Sequence, residues 1–318
     1  MVSMTYLSLK IILPYMDPNT RFNLCHKCPA ISQILKHLPV TIDHIQLGIT
    51  NIVINGTTYT LHSHANSAHA VPKDNNHQLV GKHFIRLSRD GEVVERVFPT
   101  KNLATATQYM YRKFLKDGNF VIDTLSILGY GVPSFPTRLR VNNLKCPRLR
   151  TYDSIDQLEQ IISDDSFPVE SIEITIDESI IHHPFIQNAQ KLIIMEQTEF
   201  NRQLVPIHRN AYLKNVACFR WQMMHLIIFW KEGNCAVGTH LAMETTGGFG
   251  LESMRFPVED ELVGRKAIIK NKMSNQDMEC INVPMENNLE INIYIEQLNP
   301  ERNIVHFEVY PHGYATIV

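Results

Sequence analysis

The sequence predicts an α/β protein, and three observations carry that expectation. Short β-prone runs recur after residue 120 with helix-prone segments between them. Asn55-Gly56 sits between two alternating runs, a strong short-range hairpin signal because both residues tolerate positive φ. The first 38 residues carry apolar side chains at helical spacing.

Leu9, Ile12, Leu13 and Met16 follow the 0, 3, 4, 7 pattern of one helical stripe, and Asp17-Pro18-Asn19 ends it. Leu24, Cys28, Ile31, Leu35 and Leu38 step by four and three, which predicts a second helix running through Pro29. A helical pair of this size is too small to hold itself together, so it must dock on the rest of the chain, on a partner, or on both. A strand is expected at Thr41–Leu47, then a two-stranded hairpin over 51–61. Residues 62–81 are polar and aperiodic, a loop or insert, and a helix is expected from Ala104 to Leu115 with Gly118 near its end.

Beyond residue 120, β-prone runs are Arg138–Val141, Ser171–Ile176, Lys191–Met195, Tyr212–Ala217 and Val237–Met243. Asp156–Ile162 and Trp221–Trp230 are helix-prone. The first residues of successive runs lie about 20 to 33 apart, the period of leucine-rich-repeat-like units in which each strand needs its neighbours. A helix is expected near Glu259–Ile268. Two alternating strands, Glu290–Glu296 and Ile304–Tyr310, turn at Leu298–Arg302 and would cap the stack. The expected organisation is therefore a helical segment over 1–38, a hairpin and connector over 39–119, and an irregular leucine-rich-repeat-like α/β body over 120–318.

The 318 residues are 44% hydrophobic and 19% charged, a globular balance. A net charge of −2 and a pI near 6.7 give no basic footprint for nucleic acid. The apolar run Leu7–Leu13 lacks the basic start and cleavage site of a signal peptide, and Met223–Trp230 is far shorter than the roughly 20 residues that span a bilayer. The expectation is an intracellular protein, cytoplasmic or nuclear, with no membrane partner. Six scattered cysteines do not form a disulfide framework.

Cys25-His26-Lys27-Cys28 has a metal-like spacing but lacks the second pair that a structural zinc site needs. His62, His64, His69 and His77 lie in an aperiodic polar segment and read as solvated. Thr245–Gly250 is glycine-rich without the lysine of a phosphate loop or the spacing of a dinucleotide fingerprint. Asp164-Asp165 and Asp177-Glu178 read as solvated acids at element ends. No catalytic, cofactor or metal residues are assigned. The strongest binding candidate is the basic run Arg138, Arg140, Lys145, Arg148 and Arg150, which carries no acid and suits an acidic or phosphorylated partner.

Ser8-Leu9-Lys10, Leu13, Tyr15-Met16, Asn19, Arg21-Phe22, Cys28-Pro29, Pro39–Asp43, Ile54–Tyr59 and Leu61 together resemble the start of a large nematode domain family. Leu226–Trp230, Glu232-Gly233 and Val237–Thr239 resemble a later part of it. Those proteins are similar to F-box proteins with an F-box-associated region. The resemblance implies an F-box-like helical segment followed by a target-facing α/β region. It also implies that Leu9, Ile12, Leu13 and Met16 face the BTB-fold adaptor of a cullin–RING ubiquitin ligase. Leu7-Ser8 stands where a Leu-Pro start is usual, and Pro14 lies inside the first helix, where it removes a hydrogen bond. The expected function is non-enzymatic recognition of a protein target, as a ligase substrate receptor or, alternatively, as a binding module without a ligase connection.

Overall fold

The structure is a computed structural model. It describes residues 6–35, 38–64, 84–89, 92–94, 103–115, 119–129, 131–133, 135, 138–175, 178–195, 208–216, 220–232, 235–246, 251, 256–258, 261–270 and 277–318. Contacts divide the chain into two compact units, Met1–Leu149 with Asp153–Val169, and Arg150–Tyr152 with Glu170–Val318.

In the first unit, α1 (Tyr6–Ile12) runs into a 3-10 turn, Leu13–Tyr15, where Pro14 stands. Asp17 caps α2 (Pro18–Lys27) by accepting from the Thr20 amide at 3.0 Å, and Pro18 supplies the first helical position. The single second helix expected from spacing is two helices. Cys28 takes φ −138°, ψ 101° and separates α2 from α3 (Pro29–Leu35), because a residue before proline is pushed out of the helical region.

The sheet of this unit comprises β1 (Pro39–Leu47), β2 (Asn51–Ile54), β3 (Thr57–His64), β4 (Phe84–Arg89), β5 (Glu92–Val94), β6 (Asn119–Ile127) and β7 (Arg140–Cys146). Their order is β5-β4-β3-β2-β1-β6-β7. β1, β6 and β7 are parallel, and the remaining pairs are antiparallel. The hairpin turns at Asn55 (φ 46°) and Gly56 (φ 83°), as the type I′ signal requires. Asn55 also fixes the neighbouring strand, since its Oδ1 accepts from the His44 amide at 3.0 Å. β6 was not anticipated, and it joins the hairpin region to the residues beyond 120 in one ladder.

Ile45, Leu47, Ile52, Ile54 and Tyr59 pair across β1–β3 and are buried, and buried Leu61 pairs with Leu87 of β4. α4 (Leu103–Leu115) contributes Met110, Tyr111 and Phe114 to the core, with the Phe114 ring 4.5 Å from Tyr59. α5 (Tyr152–Ile161) buries Ile155, Leu158 and Ile161. The insert beyond His64 and the expected Gly118 stop lie outside the described residues.

The second unit contains β8 (Ser171–Thr175), α6 (Glu178–Ile181), α7 (Pro184–Gln187), β9 (Leu192–Met195), β10 (Asn210–Val216), α8 (Arg220–Glu232) and β11 (His240–Thr246). It continues with β12 (Phe256–Val258), β13 (Glu261–Val263), β14 (Arg265–Lys270), β15 (Asp277–Pro284), β16 (Leu289–Asn299), β17 (Arg302–Pro311) and β18 (Thr316–Ile317). The strand order is β8-β9-β10-β11-β17-β16-β15-β14-β18, and β12 and β13 pair separately. β8 to β11 are parallel, and the strands from β17 onward are antiparallel. α8 buries Met223, Leu226, Ile227 and Trp230, with Trp230 packed 6.2 Å from the Phe307 ring. No helix among the described residues is long and apolar enough to cross a membrane.

The helix expected near Glu259–Ile268 is β13 and β14 instead. Gly264 sits between them at φ 98°, and β14 pairs residue by residue with β15. A long-range ladder overrides the local spacing here.

Candidate functional site

Two buried polar residues hold the N-terminal helices to the sheet. Asn19 Nδ2 donates to the Ile54 carbonyl at 2.9 Å, and the Tyr59 hydroxyl donates to Asn19 Oδ1 at 2.9 Å. Arg21 donates from Nε to Met16 O at 2.9 Å, from Nη1 to Pro39 O at 3.2 Å, and from Nη2 to Pro14 O. One guanidinium thus ties the 3-10 turn to the first strand. A buried cation is tolerated because carbonyls satisfy its fork of donors.

This anchoring decides where the expected adaptor residues go. Leu13 is fully buried, and with Ile34 it forms a cluster that Leu9, Met16, Leu24, Ile31 and Leu38 pack against. Of the four stripe residues, Ile12 is exposed, at 43%. The outward apolar surface of this segment is a different set: Leu7 at 69%, Ile11 at 67% and Tyr15 at 88% exposure join Ile12. Leu7, Ile11 and Tyr15 recur every four residues. At helical spacing Leu7 and Ile11 lie on the side of α1 opposite Leu9 and Leu13, and the 3-10 turn carries Tyr15 beyond them.

The basic residues do not form one cluster. Arg140 and Lys145 lie five residues apart in an uninterrupted ladder, so they project from opposite faces of β7. Arg138 is paired with Asp164. Arg148 is exposed beyond the strand, and Arg150 belongs by contacts to the second unit. Cys28, Cys146, Cys235 and Cys280 are free thiols, and burial raises Cys146 to about 12. Thr245 and Thr246 finish β11, and Gly247–Gly250 lie outside the described residues, as do His69 and His77.

The second unit brings together a polar constellation that no spacing in the sequence announces. Across β10, β11, β17 and β16, Asn210 Oδ1 lies 3.3 Å from His240 Nδ1, and His240 Nε2 lies 3.1 Å from His306 Nδ1. His306 Nε2 meets Glu296 Oε2 at 3.2 Å, and Glu308 Oε1 is 3.9 Å from His240 Nε2. Tyr294, His306 and His240 are nearly parallel, with centroids 4.6 and 5.4 Å apart. Burial is the main influence on His306 and lowers its pKa, against the raising effect of Glu296 and Glu308. Alternation along β11, β16 and β17 would place these side chains on one face, but the pairing of β11 with β17 is not written in either strand alone.

Near the end of the chain, Glu290 is buried and accepts from the Ala315 amide at 2.8 Å, the Gly313 amide at 2.9 Å and Asn292 Nδ2 at 3.0 Å. Burial pushes its pKa up, but these donors outweigh it and leave the carboxyl below its ordinary value.

A family model described as a domain of unknown function (DUF3557) matches residues 102–247, from α4 through β11. No curated protein and no solved structure matches the chain.

Proposed function

We propose that this protein recognises another protein as an F-box-like substrate receptor, with the outward face of α1 and its 3-10 turn docking on the BTB-fold adaptor of a cullin–RING ligase. The observation that carries this reading is the division of labour in the first helical segment. One side is fastened to the chain's own sheet by Asn19, Arg21 and Leu13, while Leu7, Ile11, Ile12 and Tyr15 remain exposed together. An exposed apolar group of this kind marks an interaction surface, and the family resemblance supplies its occupant. The parallel strands β8 to β11, each next to its sequence neighbour, support a leucine-rich-repeat-like target-facing body. The intracellular setting, cytoplasmic or nuclear, and a target captured without catalysis belong to the same proposal.

The test is capture of purified adaptor by the full chain and by the Ile11→Asp variant. Ile11 is mostly exposed, so its replacement leaves the core intact, whereas an apolar anchor lost from an interface weakens binding strongly. The expected outcome is capture by the parent and at least a tenfold loss in the variant, with unchanged circular dichroism and melting. No capture by the parent, under conditions where an ordinary F-box protein captures adaptor, leaves the module without a ligase connection.

A further inference from the structure

The chain from Asn210 through His240 and His306 to Glu296 crosses four neighbouring strands, β10, β11, β17 and β16, and its hydrogen bonding limits how many protons it can hold. A carboxylate only accepts, so the hydrogen between His306 and Glu296 sits on His306 Nε2. Neutral His306 then offers a lone pair at Nδ1, and His240 Nε2–H donates to it. The remaining His240 nitrogen, Nδ1, faces the Asn210 amide, which can turn either its N–H or its oxygen toward it. With its amide N–H turned inward, the chain is satisfied with both imidazoles neutral. With its oxygen inward, one proton sits on His240, beside the Glu308 carboxylate, and every link survives. While Glu296 stays ionised, a second proton on the chain has only His306 Nδ1 to occupy. That places two N–H groups head to head at 3.1 Å, with a positive charge on each ring.

We propose that this chain is an acid-operated latch, which ties β10, β11, β17 and β16 together while it carries no more than one proton and releases when it takes a second. Ala242, a small residue, stands directly opposite His306 in the ladder, and His240 stands two residues away on the same strand face. The surrounding groups are Tyr212 from β10, Lys191 ahead of β9, Glu244 from β11, Tyr294 and Glu296 from β16, and Glu308 and Arg302 from β17. Glu244 is already engaged by Arg302 at 2.7 Å and by the Tyr212 hydroxyl at 3.4 Å. Beside His306, Glu296 and Glu308 favour a proton and Lys191 opposes it. The latch does not depend on the adaptor reading, since it lies in the second unit.

Histidine-selective NMR of the full chain, followed as the pH is lowered from 8 to 5, tests it. In the parent, His240 is expected to titrate first, and His306 to stay neutral until at least about one pH unit lower. His240→Asn removes the competing imidazole and offers an acceptor to His306 Nδ1, so its His306 midpoint is expected to rise tenfold or more in proton affinity. Amide exchange at Leu241 and Val305, corrected for its intrinsic pH dependence, is expected to accelerate in the parent only where His306 titrates. Independent titration of the two histidines, with midpoints unmoved when the other is replaced, overturns the proposal. So does exchange at Leu241 and Val305 that is indifferent to the second proton. If His240→Asn does not fold, the parent's two midpoints and its exchange profile still decide the matter.

Discussion

Glu290 is the residue on which the end of the chain turns. Its carboxylate gathers two backbone amides from residues 313–315 and the side chain of Asn292. Hydrogen bonds to a charged acceptor contribute about 1.5–3 kcal/mol each when burial is taken into account. Glu290→Gln keeps the shape, yet an amide group cannot accept at both ends, and a loss of about 2 kcal/mol at pH 7 is expected from urea denaturation. The pH dependence has a definite sign. The folded pKa lies below the ordinary 4.5, so the folded state holds fewer protons than the unfolded chain near that value. The stabilisation is fully present above about 4.5 and disappears as the pH falls through the lowered pKa, so parent and variant are expected to converge there. Equal stability of the two at pH 7 would remove the clamp from the account. The same reasoning applies to His306 at higher pH. Burial depresses its pKa too, so stability declines once the pH drops below the ordinary 6.5, because the unfolded histidine takes up the proton first.

At the scale of elements, local chemistry was legible wherever it decides the backbone. Asn55-Gly56 forces a type I′ turn, and the hairpin stands where the residues place it. α4, α5, α8 and the strands β8 to β11 follow their apolar periods to within a few residues. The N-terminal stripe is helical as its spacing predicts; Leu13 turns inward with Leu9 and Met16 packed on it, and Ile12 stays exposed. Over β13 and β14 the apolar residues also satisfy a helical period, and nothing local announces the pairing with β15. Gly264 is the one residue of that stretch whose conformation only the fold explains. At φ 98°, a methyl group there would approach Ile281 Cγ2 to 2.4 Å. Gly264→Ala is therefore expected to cost about 1–3 kcal/mol, measured by calorimetric or denaturant unfolding. An unchanged midpoint would mean that the turn relaxes freely.

For the whole molecule, the α/β class was legible from the alternation of periods, while the candidate sites were not. The basic run between Arg138 and Arg150 looked continuous in sequence, yet strand alternation sends Arg140 and Lys145 to opposite faces. His240 and His306 are 66 residues apart and meet only through the β11–β17 ladder. The matched domain of unknown function covers residues 102–247 and leaves the N-terminal helices outside it. The geometry of those helices separates an inward side, fixed by Asn19 and Arg21, from an outward apolar side on α1. Amide hydrogen exchange of the full chain, with and without saturating BTB-fold adaptor, addresses the claim most directly. The account expects added protection confined to residues 6–15, with β8 to β11 unchanged and left for a target. Protection that spares residues 6–15, or none anywhere at adaptor concentrations that saturate an ordinary F-box protein, would contradict it.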